Sequence, residues 1–230
     1  MYELEIFILY LYYIYIIFIL YIYKYNMKIY ILRHEDYTMD STMFSPLTKD
    51  GLDRSVKLIK VLKKEEIDRI YSSPFIRALQ TIYPYAKKTN TVINAEYSLS
   101  EIQHPLLIPE KSHQVTLPQY IAESFNCSKE YTSIIVPTDY SYPEDDKKVE
   151  QRVKKFMTKL VTDMLDSKYN IVIVTHQLIC NIIIQLATKS NKNVKIDSTY
   201  NYMKGGLTRV FYKDKWVFEP INWEYKVDDS

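Results

Sequence analysis

Two histidines and two arginines follow three short apolar runs of this sequence, and their side chains have the chemistry of an anion site. They are Arg33 and His34 after residues 27–32, Arg77 after residues 67–71, and His176 after residues 170–174. In open α/β sheets, ligands bind at the carboxyl ends of the strands. The sequence therefore predicts that these four side chains meet at one edge of one sheet.

The same four residue types suit phosphoryl transfer. A phosphate monoester needs cations on its non-bridging oxygens, an in-line nucleophile and a proton for the leaving oxygen. Arginine matches phosphate oxygens bidentately, and a neutral histidine nitrogen attacks well when a hydrogen bond holds the other ring nitrogen. For either histidine alone, an ordinary polar or core role is the simpler interpretation. The four together favour an anion site.

The elements that position these residues alternate along the chain. Thr48 is a favourable N-cap and Pro74 is predicted at the first position of a helix. Alternating strands and helices predict a three-layer α/β/α sandwich with a mostly parallel sheet. The predicted strands are 28–33, 67–72, 91–95 and 170–174, the helices are 48–63, 74–88, 145–166 and 177–188, and a hairpin follows at 207–218.

Residues 102–143 lose clear periodicity and are rich in proline, which indicates a small inserted cap. We call this segment the cap insertion. It holds His104 and His113, which we interpret as surface residues rather than ligands. The interpretation of Lys111 and Arg152 stays open between these two roles. The predicted organisation is a leader over 1–26, a catalytic domain over 27–225 with this insertion, and a tail over 226–230.

Composition excludes some functions. A net charge of +2 excludes a strongly basic nucleic-acid binder, and nucleic acid is not an expected partner. Cys127 and Cys180 lack metal-ligand spacing and fit a reducing compartment, so a cytoplasmic location is expected. No HExxH motif or carboxylate cluster is present, so we expect no metal and no other cofactor.

The leader poses a separate question. Residues 6–23 are uncharged and would be about 27 Å long as a helix, barely enough to cross a bilayer. Lys24 and Lys28 follow, which would leave the catalytic domain in the cytoplasm. The run is rich in tyrosine, which prefers the membrane interface, and Met27 stands directly before the first strand. A membrane anchor and a non-native upstream extension both stay open.

Five ordered blocks carry a family resemblance. They are ILRHEDYT, PLTKDGL, YSSPFIRALQT, LSEI and VTHQ. In this order they resemble the histidine phosphatase superfamily of the phosphoglycerate mutase-like fold, branch 1 type, over about residues 28–222. The strongest block is SSPFIRALQT, which matches the family pattern SSPxxRAxQT at seven positions, namely Ser72, Ser73, Pro74, Arg77, Ala78, Gln80 and Thr81.

The resemblance implies a role for each site residue. His34 would be the nucleophile of a phosphohistidine intermediate. Arg33, Arg77 and His176 would hold the phosphoryl oxygens, with His176 also counted as catalytic. Glu101 would protonate the leaving oxygen, which requires a raised carboxyl pKa. The implied substrate is a small phosphorylated molecule or a phosphoprotein, hydrolysed without a metal.

Two positions depart from the family pattern. Glu35 and Gln177 stand where glycine usually follows the two histidines, and Glu35 adds negative charge unless it points away from the site. Two alternatives stay open. One is a phosphosugar mutase, although EDYTMDSTMF does not resemble the substrate loop of related mutases. The other is a catalytically idle module that binds phosphorylated ligands.

Overall fold

The fold is built on one six-stranded sheet, in the order β3-β2-β4-β1-β5-β6. The computed structural model describes residues 28–110, 116–164, 169–189, 202–213 and 215–221. The strands are β1 (Lys28–Arg33), β2 (Arg69–Ser72), β3 (Ile93–Ala95), β4 (Asn170–Thr175), β5 (Leu207–Lys213) and β6 (Lys215–Ile221). The helices are α1 (Lys49–Lys64), α2 (Ile76–Thr89), α3 (Gln119–Ser124), α4 (Asp146–Met164) and α5 (Gln177–Lys189), and 3₁₀ turns lie at Tyr97–Leu99 and Pro137–Asp139.

Four strands run parallel and end at the same edge. In β1 and β4, Arg33 lies opposite Thr175. In β2 and β4, Ser72 lies opposite Val174. The terminal hairpin β5–β6 is antiparallel and completes the sheet beside β1. The predicted mostly parallel sheet is confirmed, and the segments after β1, β2 and β4 emerge side by side.

Each strand sends alternate side chains to opposite faces of the sheet, as the pleat requires. Tyr30 and Leu32 pack in a core with α1 and α2, whereas Ile29 and Ile31 pack in a core with α4 and α5. Helices therefore cover both faces, and the predicted three-layer α/β/α sandwich is confirmed.

Helices α1 and α2 begin in different ways. Thr48 caps α1 as predicted, because its hydroxyl accepts a hydrogen bond from the Gly51 amide. The position predicted for Pro74 was wrong, since α2 begins at Ile76 and Phe75 is its N-cap. The reason is local: the Phe75 amide donates to Ser73 Oγ at 3.3 Å, and the Ile76 amide donates to a loop carbonyl.

The described part of the cap insertion is irregular apart from α3 and a 3₁₀ turn. It packs on the α2 side of the sheet through Ile108 and Leu117. The predicted domain boundaries stay a prediction, and the leader and tail, like Lys111 and His113, lie outside the described residues. Within the described ranges, no helix has the length and apolar character needed to cross a membrane.

Candidate active site

His34 lies directly after β1 and is almost completely buried. Its Nδ1 is 2.7 Å from the main-chain oxygen of Glu35. A carbonyl only accepts, so Nδ1 carries the ring proton and Nε2 keeps its lone pair. Burial, followed by the charge of Arg77, holds the pKa of His34 well below its usual value. At neutral pH the imidazole is therefore uncharged, and Nε2 carries no proton.

Arg77 faces the unprotonated Nε2 of His34. Its Nε donates to His34 Nε2 at 3.3 Å, and its Nη1 donates to the Thr42 carbonyl at 3.1 Å. The guanidinium lies between the rings of Tyr37 and Phe75, 4.6 Å from each centroid. Cation–π contacts and burial fix its plane. The structure thus holds a rigid cation beside Nε2 of His34.

Arg33 supplies a second cation. Its Nη1 donates to the carbonyl of Tyr202, in the loop before β5. Among the described residues, its buried Nε has no hydrogen-bond partner. Buried donors are rarely left unpaired, and a position for a ligand or ion is one explanation of such an exception. The Arg33 guanidinium is therefore available to an anion.

His176 approaches from the end of β4. Its ring centroid is 5.1 Å from that of His34, and it is completely buried. Its Nε2 is 2.8 Å from Ser73 Oγ, and that oxygen accepts from the Phe75 amide. In the tautomer in which the Ser73 hydroxyl donates to Nε2, the ring proton lies on Nδ1. Within the described residues, this Nδ1 has no hydrogen-bond partner.

Glu101 is the acidic group of the cluster. Its Oε2 lies 3.4 Å from His176 Nδ1 and 3.9 Å from Arg77 Nη2, and its side chain is 13% exposed. Burial raises the pKa of Glu101, although the Arg77 charge and the Ile102 amide oppose this. A carboxyl with a raised pKa keeps its proton to higher pH, as a proton donor requires.

Other residues of the SSPFIRALQT block hold the surrounding loops. Gln80 Oε1 accepts from the Leu47 amide at 2.7 Å and ties the loop after β1 to α2. Thr81 Oγ1 accepts from the Glu35 amide and donates to the Arg77 carbonyl. One threonine thus couples the loop after His34 to the helix that carries Arg77.

Glu35 points away from the anion site. Its carboxylate is completely buried, and Oε2 lies 2.8 Å from Arg54 Nε on α1. Gly205 has a φ of +70°, and a Cβ there would lie 2.1 Å from Glu35 Oε1. The Glu35 side chain thus fits because Gly205 has no Cβ to clash with it and because Arg54 pairs with its carboxylate. Gln177, the second departure, is the first residue of α5.

Sequence reasoning missed three residues of the site. Tyr37 packs its ring 5.0 Å from that of His34, Lys204 forms an ion pair with Asp36 and faces Tyr37, and the Tyr202 carbonyl holds Arg33. A sequence with 23 tyrosines offers no signal for two of them. Lys204 lies on a loop remote in sequence from every motif.

The remaining predicted candidates lie outside the cluster. His104 is partly exposed in the cap insertion. Arg152 is buried and paired with Glu144, so the surface interpretation left open for it was wrong. Among the described residues, no group of three or more His, Cys, Asp or Glu side chains is placed to hold a metal ion. The structure thus brings together all five residues predicted for the site, and their roles stay predictions.

The family model of the histidine phosphatase superfamily (branch 1) matches residues 29–223. This chain belongs to that superfamily. The phosphohistidine phosphatase SixA of Escherichia coli strain K12 is 39% identical over 74 residues, which cover 30% of this chain and 46% of SixA. The match thus spans less than half of that relative's length.

Solved structures share the fold. The ecdysone phosphate phosphatase of Bombyx mori, solved with tungstate, superposes with a TM-score of 0.69 at 12% identity, over 89% of this chain and 96% of that one. A phosphoglycerate mutase from Bacillus anthracis gives a TM-score of 0.58 at 17% identity, over 86% and 93%. A mycobacterial glucosyl-3-phosphoglycerate phosphatase with inorganic phosphate gives 0.56 at 15% identity, over 86% and 97%. At these identities the likeness establishes the phosphoglycerate mutase-like fold.

Proposed function

We propose that this chain is a metal-independent phosphatase that hydrolyses a phosphate monoester through a phosphohistidine at His34. The observation that carries the proposal is the hydrogen bond from His34 Nδ1 to the Glu35 carbonyl. It leaves Nε2 unprotonated, and this atom accepts a hydrogen bond from Nε of the buried Arg77. Family membership and the phosphatase relative support the same activity.

In the first step, the hydrogen bond from Arg77 Nε to His34 Nε2 breaks, the lone pair of Nε2 attacks phosphorus, and the P–O bond to the leaving group breaks. Arg33, Arg77 and the Nδ1 proton of His176 bind the non-bridging oxygens as their charge shifts. The electron pair of the broken bond stays on the leaving oxygen, which takes the proton of Glu101. The alcohol then departs.

In the second step, water attacks the phosphorus of the phosphohistidine. Glu101, now a carboxylate, takes a proton from this water. The P–N bond breaks and its electron pair returns to His34 Nε2. Inorganic phosphate leaves, and both residues are restored to their starting protonation states.

The cluster has the cations to bind one phosphoryl group. We infer a small phosphorylated molecule or a phosphoprotein as substrate, hydrolysed without a metal cofactor, and we propose a cytoplasmic location. SixA is by name a phosphohistidine phosphatase. A phosphorylated histidine therefore belongs among the substrates to test beside phosphosugars.

The experiment is a screen of the full chain against 4-nitrophenyl phosphate, alkyl phosphates, phosphosugars and a phosphohistidine peptide, with and without EDTA. We expect hydrolysis that EDTA leaves unchanged. His34→Ala should lower kcat/KM by about 10³-fold or more, whereas His104→Ala, a histidine variant outside the cluster, should leave it unchanged.

Three results would overturn the proposal. Loss of activity in EDTA would contradict a metal-free reaction. Phosphate moving between positions of a phosphosugar without release would favour the mutase. Tight binding of phosphorylated ligands with no turnover of any substrate would favour the idle module.

A further inference from the structure

A buried arginine holds the loop that carries Glu101. We call residues 98–103 the acid loop. Arg152, on α4, donates from Nη1 to the Ser98 carbonyl at 2.6 Å and from Nη2 to the Glu101 carbonyl at 3.3 Å. These two bonds hold the main chain of the acid loop at its first residue and at Glu101 itself.

Glu144, directly after the cap insertion, completes this attachment. Its carboxylate accepts from Arg152 Nε at 2.8 Å and from Arg152 Nη2 at 3.0 Å. Glu144 also bonds to Gln103, since the Gln103 amide donates to Glu144 Oε2 and the Glu144 amide donates to the Gln103 carbonyl. The Gln103 side chain donates to the Glu101 carbonyl at 2.7 Å.

Tyr140 adds a third attachment from the cap insertion. Its hydroxyl hydrogen-bonds to the Tyr97 carbonyl and lies 2.8 Å from Ser100 Oγ. Its ring lies 5.5 Å from the Arg152 guanidinium carbon. Hydrogen bonds with Tyr140, Glu144 and Arg152 therefore hold the acid loop at both of its ends.

The Glu101 side chain, by contrast, makes few hydrogen bonds of its own. Within the described residues, that carboxyl accepts one hydrogen bond, from the adjacent Ile102 amide at 3.2 Å. Its position therefore depends on the main chain of the acid loop. Arg152 and Glu144 are each buried, and a buried ion pair is costly to form unless its hydrogen bonds are satisfied, as they are here.

We propose that Arg152 and Tyr140 are positioning residues that fix the Glu101 carboxyl where it gives its proton to the leaving oxygen. The inference rests on the proposed function, because it needs Glu101 as the proton donor. A displacement of about 1 Å can cost a catalytic group much of its effect, about 10²-fold in rate. The loss should appear where proton donation matters and be absent where the leaving group needs no proton.

The test compares two substrates in the full chain. An alkyl phosphate needs a proton on its leaving oxygen, whereas 4-nitrophenyl phosphate releases a stable phenolate. We expect Tyr140→Phe and Arg152→Lys to lower kcat/KM for the alkyl phosphate by about 5- to 30-fold, and for 4-nitrophenyl phosphate by less than about 2-fold. A purely structural role would lower both values equally.

Tyr131→Phe is the matched control. It also removes a tyrosine hydroxyl of the cap insertion from a hydrogen-bonded site, that of Glu96, but it leaves the acid loop contacts intact. We expect it to show no difference between the two substrates. Should Arg152→Lys fail to fold, as a thermal melt would show, Tyr140→Phe decides the matter.

Glu101→Gln in the same assay separates the two proposals. If it shows the substrate difference and the Tyr140 and Arg152 variants do not, the positioning inference is wrong and the proposed function stands. If Glu101→Gln itself shows no difference, its role as proton donor is wrong, and the positioning inference falls with it.

Discussion

Glu96 and Glu101 are neighbouring glutamates whose surroundings differ in kind. The carboxylate of Glu96 is completely buried and accepts hydrogen bonds from the Ser98 and Ile134 amides and from the hydroxyls of Tyr131 and Ser133. Glu101 lies among cations and accepts a bond from its own neighbouring amide. A carboxylate surrounded by donors stabilises a loop. A buried carboxyl with few hydrogen-bond partners, such as that of Glu101, has a raised pKa and stays available to a ligand.

The largest expected difference between the two glutamates is in catalysis, where we expect Glu101 to matter most. Glu101→Gln should lower kcat/KM for alkyl phosphates by about 10²- to 10⁴-fold, because the amide has no acidic proton to give to the leaving oxygen. It should also abolish the fall in kcat/KM that we expect of the wild type as pH rises through the raised pKa of Glu101. A pH profile of both proteins checks this. An unchanged alkaline limb in the variant would contradict the assignment.

A smaller effect is expected at Glu96, in stability rather than catalysis. Glu96→Gln places an amide among groups that all donate, so at least one buried donor loses its acceptor. We expect a loss of about 3 kcal/mol in the free energy of unfolding, with kcat/KM of the folded fraction changed by less than about 3-fold. Urea denaturation and kinetics on the same preparation measure both. If Glu96→Gln were as stable as the wild type, the hydrogen bonds of Glu96 would not stabilise the fold, and the contrast with Glu101 would be wrong.

Glu35, a third buried carboxylate, lies between these extremes because it has one cationic partner, Arg54. Burial raises its pKa from 4.5 to about 7, against the opposing charge of Arg54. A carboxyl whose pKa is raised by folding contributes stability at pH below 4.5 that is lost as pH rises through about 7. The folded protein should therefore lose stability over this window.

The measurement is urea unfolding of the wild type and Glu35→Gln at pH 5 and pH 8. The stability of the wild type relative to the variant should fall by about 2 kcal/mol between these pH values. A relative stability that does not change with pH would show that Glu35 is ionised throughout. Such a result would place Glu35 with the fully satisfied carboxylate of Glu96.

The sequence predicted the parts of the site that obey general rules. Parallel strands end at one edge, so apolar runs followed by Arg33, His34 and His176 were enough to bring these residues together. The SSPFIRALQT block placed Arg77 in the same way. Predicting that residues of these types meet at the strand ends requires no knowledge of side-chain contacts.

Contacts made across loops could not be predicted in this way. The pairing of Arg152 with Glu144 depends on how the cap insertion returns to α4, and the Glu35–Arg54 pair depends on space left by Gly205. Tyr37 and Lys204 reach the site through loop conformations without periodicity. Hydrophobic patterning determines which face of an element is buried, but not which polar partners meet there.

The central claim is that His34 Nε2 is the atom that carries the phosphoryl group. The most direct test is to mix the full chain with substrate, quench within milliseconds, and map the phosphate by mass spectrometry and ³¹P NMR of the peptide. We expect an acid-labile phosphate on Nε2 of His34, because Nδ1 is engaged with the Glu35 carbonyl. Phosphate on His176, on Nδ1 of His34 or in an acid-stable ester on Ser73 would contradict it.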